Sequence, residues 1–183
     1  MVFILEGAPC VGKTTLLKNL KTKEGFFYLF EPEEEWKKLF KTKDAINENY
    51  ALFEAFVFFS KLKLLLENMG KDILLERSFF ADFFIFCVVS KKKKQISAFS
   101  FFILKKIYSF CTFFFRKLKK KFFFCYLPFK KNKEIYLRRE RLELDGGTFY
   151  LWWKRYSVVF KKYPKVNLFL ENERSKLLSK IFK

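Results

Sequence analysis

The 183-residue chain contains no histidine. Catalytic triads built on imidazole are thereby excluded, as are the common His-bearing zinc sites. Cysteine is nearly as sparse. Cys10, Cys87, Cys111 and Cys125 form no C-x-x-C pair and no metal-ligand spacing, which fits a reducing compartment without a disulfide framework. Arginine is rare beside lysine, seven against 31. Long uninterrupted apolar runs are missing as well. The most apolar stretch, residues 98–115, is broken by Lys105 and Lys106 and is expected to be too short and too charged to span a bilayer. The first strand starts at residue 2 and its functional loop at Gly7, which leaves no room for a signal peptide. The expectation is a soluble, cytoplasmic protein with no membrane partner.

What the chain does have is lysine and phenylalanine: a formal net charge of +19 and 29 phenylalanines. Lys, Phe, Ile and Asn are the residues that A/T-rich codons specify, so much of the charge reads as compositional drift. A solvated surface explains it better than a nucleic-acid footprint. The length suits one α/β domain over residues 1–183 with a substantial core.

Apolar runs bounded by turn residues predict parallel strands at residues 2–5, 26–30, 72–75, 122–127 and 166–170. Helical spacing occupies 14–20, 50–69, 79–89, 96–115, 131–144, 149–163 and 175–182, with Lys91 to Lys94 as a charged loop. Strands alternating with helices imply a five-stranded parallel sheet with helices on both faces.

Between the first strand and first helix stands Gly7-Ala8-Pro9-Cys10-Val11-Gly12-Lys13-Thr14, which fits G-x-x-x-x-G-K-[ST], followed by Thr15. Glycines let the backbone curl so that successive N–H groups point at phosphate oxygens. Lys13 is then placed for the β- and γ-phosphates of ATP, and the Thr14 hydroxyl for Mg²⁺. The strand–loop–helix context makes this a P-loop NTPase-type fold.

Ligands of parallel sheets bind at the carboxyl ends of the strands. Glu31 follows the second strand there and is placed to serve as a base toward a hydroxyl. Glu76 and Arg77 follow the third, the first a candidate for Mg²⁺ through water and the second for the transferring phosphoryl group. Four of the seven arginines are Arg77, Arg138, Arg139 and Arg141. Arginine's planar fork grips phosphate as lysine cannot, so arginines that persist against lysine drift point to chemistry. Arg139 and Arg141, on a basic helix ending near Gly146-Gly147, suggest a lid over ATP around residues 137–147.

With these pieces in place, the chain resembles the deoxynucleoside kinase family. The resemblance is carried by GAPCVGKTT, FEPEEEW, FEAFVFFSKL, LLERSFFADFFIF and RRERLE, in the family's order. It implies that Glu31 is the catalytic base for the sugar 5′-hydroxyl, Arg77 its partner, and Arg139 and Arg141 the lid arginines. It further implies that Glu143 is the lid carboxylate near the 3′-hydroxyl, one residue tight in spacing, that Tyr50 lines the sugar pocket, and that the protein is a homodimer. Where the family usually reads the base with glutamine, this chain has Glu54. Asp82 is kept, and Lys61 stands where some members carry arginine, on the same helix face as Glu54. Ionised carboxylates only accept hydrogen bonds, which favours bases presenting amino groups over thymine; a protonated Glu54 would instead mimic the amide. Lys61 could offset one of the two charges. Phe53, Phe56, Phe79 and Phe80 are each expected in the core rather than as base platforms.

The expected function is transfer of the γ-phosphate of ATP to the 5′-hydroxyl of a deoxynucleoside, a salvage reaction with no nucleic-acid partner. The alternatives are a thymidylate-type monophosphate kinase and a non-catalytic P-loop nucleotide-binding protein.

Overall fold

A computed structural model describes residues 2–9, 11–20, 26–29, 38–40, 49–117, 122–126 and 146–161. In chain order the elements are β1 (Val2–Glu6), α1 (Lys13–Leu20), β2 (Phe26–Leu29), α2 (Tyr50–Glu67), β3 (Asp72–Glu76) and α3 (Phe79–Ala81). Beyond them lie a π-helical stretch (Asp82–Cys87), α4 (Val88–Lys92), α5 (Ala98–Lys117), β4 (Phe122–Tyr126) and α6 (Gly146–Val159).

The four described strands are all parallel, in the order β2-β3-β1-β4. β1 is therefore central, paired with β3 in the register Leu5↔Glu76 and with β4 in the register Glu6↔Tyr126. The chain leaves β1 for the β2 edge, returns to β3, and then crosses to the far side of β1. The loop after β1 thus opens at a point where strand order reverses, the usual ligand crevice of such sheets. The fifth predicted strand, at 166–170, and the terminal helix lie outside the described residues.

Alternation along β1 divides the core in two. Phe3 and Leu5 face Leu16 and Leu17 of α1 and Tyr156 of α6, with Phe160 just beyond that helix. Val2 and Ile4 face Phe58, Leu62 and Leu65 of α2 and Leu104 and Cys111 of α5. Helices accordingly cover both faces of the sheet, as expected. Each such side chain contributes about 1.5–3 kcal/mol through burial, so neither layer is dispensable. The segment from α3 through the π-helical stretch serves both clusters, Phe86 on one side and Phe83 and Cys87 on the other.

Several boundaries differ from the sequence reading. The helix expected at 79–89 contains the π-helical stretch and runs on to Lys92, so Lys91 and Lys92 are helical rather than loop. α6 begins at Gly146, three residues before the expected start at 149, and the helix expected at 131–144 lies outside the described residues. α5 runs over 20 residues and ends two residues beyond the expected 115; by length and composition alone it is a helix long and apolar enough to cross a bilayer. Phe79 is buried as expected, against Phe58 and Phe115. Phe53 and Phe56 pack against Phe40, and Phe80 against Phe84 and Phe160.

Lysines lie over rings at the surface: Lys91 Nζ sits 4.4 Å from the Phe101 centroid, Lys106 Nζ 5.3 Å from Phe102, and Lys117 Nζ 5.4 Å from Phe113.

Candidate active site

Strand β1 is apolar until Glu6 and then gives way to the glycine loop. Gly7 and Ala8, the first residues of the loop, are buried, Pro9 is half-buried and Val11 packs into the core. Gly12 takes φ 94, a left-handed value that glycine adopts without strain. Its carbonyl then accepts the Leu16 amide at 3.0 Å, opening α1. Lys13 is buried, its Nζ donating to Gly7 O at 2.9 Å and Ala8 O at 3.0 Å, so the ammonium is folded into the loop. Thr15 is exposed. Cys10 lies outside the described residues.

Thr14 Oγ1 donates to Glu76 Oε1 at 2.8 Å, across 62 residues of sequence. Sheet register brings them together, because β3 is the direct neighbour of β1. A hydroxyl and a carboxylate, both hard oxygens beside a phosphate loop, fit the few protein ligands that Mg²⁺ takes while keeping its waters.

Arg77, the next residue, has φ 63, the left-handed region that non-glycine residues rarely occupy. Its guanidinium carbon stacks 4.2 Å from the Phe86 centroid, and its Nε lies 3.8 Å from Asp82 Oδ1. Phe86 and Asp82 both belong to the π-helical stretch, a type of irregularity frequent at functional sites. Arg155 of α6 steadies that stretch by donating from Nε to Phe84 O at 2.9 Å.

Behind Arg77 lies a buried polar cluster. Lys61 Nζ meets Asp82 Oδ2 at 2.7 Å, so the charge that Lys61 offsets is that of Asp82. Glu54 is 3% exposed. Loss of solvent raises its pKa to about 8, the Asp82 charge adds to this, and Tyr50, Arg77 and Lys61 lower it only in part. Burial thus biases Glu54 toward its neutral acid form. Tyr50 is buried beside it and its hydroxyl is pushed well up, first by burial and then by Glu54. Burial likewise pushes the Cys87 thiol up, so it is inert. Glu6 is fully buried, its carboxyl raised by desolvation to about 7 while Ser78 draws it back.

Lys13, Thr14, Glu76, Arg77, Tyr50, Glu54, Lys61 and Asp82 thus come from the carboxyl end of the sheet and the helices against it. The glycine loop and the buried polar cluster meet at Arg77, whose Nε lies 3.8 Å from Asp82 Oδ1.

The sequence matches the family profile described as deoxynucleoside kinase over residues 3–166. The chain belongs to the deoxynucleoside kinase family. It is accordingly a phosphotransferase acting on a deoxynucleoside, with a nucleotide as phosphate donor. This decides for the nucleoside as acceptor over the monophosphate, and for catalysis over mere nucleotide binding. No curated protein matches the kinase by sequence. Similar solved structures include deoxyadenosine kinase from M. mycoides with dCMP and a flexible dCDP bound. It is 16% identical with a TM-score of 0.73, covering 100% of this chain and 99% of that one. The same enzyme with bound dCTP is 17% identical with a TM-score of 0.74 at the same coverage. At that identity the likeness speaks for the fold.

Glu31, Arg139, Arg141 and Glu143 of the kinase lie outside the described residues, as does most of the expected lid. Sequence reasoning missed Glu6, Ser78 and Phe86. Glu6 had a signal: a carboxylate closing a strand that is otherwise wholly apolar.

Proposed function

We propose that this kinase transfers the γ-phosphate of Mg-ATP to the 5′-hydroxyl of a deoxynucleoside, with Glu31 taking the hydroxyl proton. The observation that carries the reading is the Thr14–Glu76 hydrogen bond of 2.8 Å beside buried Lys13 and the held guanidinium of Arg77. Together these supply a hydroxyl and a carboxylate for the metal, an ammonium for phosphate oxygens, and a forked donor for developing charge. Thr14 and Glu76 would hold Mg²⁺, which would supply charge neutralisation to the phosphate oxygens. Gly7 through Thr15 form the donor-nucleotide cradle, and Arg139 and Arg141 close over it from a lid at 137–147.

Tyr50, Glu54, Lys61, Asp82 and Glu143 form the acceptor subsite. A neutral Glu54 offers a hydroxyl donor and a carbonyl acceptor, as glutamine would. Asp82, paired with Lys61, offers an acceptor for an amino group. Adenine, guanine and cytosine carry such a group and thymine does not, so the three amino-bearing deoxynucleosides are the preferred substrates. A homodimer is proposed from the family; Phe59 of α2 and Phe99, Phe110 and Phe113 of α5 are exposed on helices that a second copy could cover. The lysine-rich surface is read as solvated, with no nucleic-acid partner and a cytoplasmic setting.

Assay of the purified kinase with ATP and each of the four deoxynucleosides tests this, with the corresponding monophosphates as control acceptors. Thymidine as the best substrate would sink the base preference, and absence of transfer from ATP would sink the assignment of donor.

A further inference from the structure

Among the buried titratable groups, Glu6 has no part in the reaction proposed for this site. It ends the central strand and is fully buried. Its Oε1 accepts the Ser78 amide at 2.9 Å. One residue earlier, the Arg77 amide donates to Leu5 O at 3.0 Å. Two successive N–H groups are thus pinned to two successive residues at the tip of β1. Between those pins sits Arg77 with φ 63. A non-glycine residue persists in that region only where its surroundings impose it. Ser78 in turn starts α3, since its Oγ accepts the Ala81 amide at 3.2 Å.

We infer that Glu6 is a positioning residue: by holding the Ser78 amide it keeps Arg77 left-handed, and so aims the guanidinium across Phe86 toward the phosphoryl-transfer site. Without that acceptor, the chain after β3 is free to relax to negative φ and swing the Arg77 side chain off the ring. The acceptor needed is one oxygen at a fixed reach, not a charge. A protonated carboxyl keeps its carbonyl oxygen, so the raised pKa of Glu6 leaves the clamp intact. Glutamine should therefore replace Glu6. Aspartate, one methylene shorter, should not, although it keeps the charge.

The inference rests on the role proposed for Arg77, and the experiment separates the two. Steady-state kinetics with ATP and a deoxynucleoside would compare the full-length protein with Glu6→Gln, Glu6→Asp, Glu6→Leu and Arg77→Ala, with thermal unfolding as a fold control. Glu6→Gln should hold kcat within about two-fold, while Glu6→Asp and Glu6→Leu lower it by about 10-fold or more, with both KM values within about two-fold. In the Arg77→Ala background the Glu6→Asp penalty should vanish, because no guanidinium is left to aim. Should Glu6→Leu fail to fold, Glu6→Asp and Glu6→Gln still decide. Full kcat in Glu6→Asp with a slow Arg77→Ala overturns the positioning role and leaves the Arg77 reading standing. Full kcat in Arg77→Ala overturns that reading, and this inference with it. An undiminished Glu6→Asp penalty in the Arg77→Ala background also rules the clamp out.

Discussion

Lys61 and Asp82 form an ion pair of 2.7 Å with both side chains buried, joining α2 to the π-helical stretch. Breaking one half of such a pair leaves a charge without solvent. Lys61→Met should therefore destabilise the kinase by about 3–5 kcal/mol, whereas Lys61→Met with Asp82→Leu should recover much of that loss. Urea unfolding of wild type and both variants checks it. Equal destabilisation in the single and double variants would show that the pair is not the cause.

Stability should also fall as the pH rises from about 4.5 toward 7 and 8, and level off above that. Glu6 holds its proton in the fold up to about 7 and Glu54 up to about 8, against 4.5 as the ordinary value. Between those limits the folded state binds more protons than the unfolded one. The stabilisation is complete below pH 4.5 and is lost as the pH climbs through 7 and 8, at up to about 1.4 kcal/mol per pH unit for each proton retained. Glu54→Gln should flatten the upper part of that slope. Denaturation midpoints from about pH 5.5 to 8.5 would reveal it, and identical slopes in wild type and variant would refute it.

Thr14→Ala should raise the Mg²⁺ concentration for half-maximal rate by about 10-fold, while Thr14→Ser retains the wild-type requirement. Loss of the hydrogen bond to Glu76 should cost only about 1 kcal/mol of stability. A Mg²⁺ titration of initial rates reads the first effect and thermal unfolding the second.

Arg77→Lys keeps the charge and discards the fork. The rate constant kcat should drop by about 100-fold with KM for the deoxynucleoside little changed, since the interaction matters in the transition state rather than in binding. A rise in KM at constant kcat would place Arg77 in ground-state binding instead.

Much of the architecture was legible from residue order. The glycine loop fixes a strand on one side and a helix on the other, and the alternating apolar runs give parallel strands with covered faces. The cluster of Tyr50, Glu54, Lys61 and Asp82 was visible through helical spacing and resemblance. What could not be read was who pairs with whom. Lys61 shares a helix with Glu54 but bonds to Asp82 on another element, a choice made by tertiary packing. The π-helical stretch escaped because an added residue per turn leaves no periodic trace in six residues dominated by phenylalanine. The start of α6 was placed three residues late, since glycine is a poor helix former and Gly146 and Gly147 are nonetheless helical.

Lys91, Lys106 and Lys117 hold their ammonium groups over Phe101, Phe102 and Phe113. The two residue types that composition supplies in excess therefore meet face to face: Phe101 packs back onto the core beneath its lysine, while over the exposed rings of Phe102 and Phe113 the ammonium groups add charge to an apolar surface. Colloidal behaviour should follow ionic strength in consequence, with salt thinning the repulsion and letting the rings of neighbouring molecules touch.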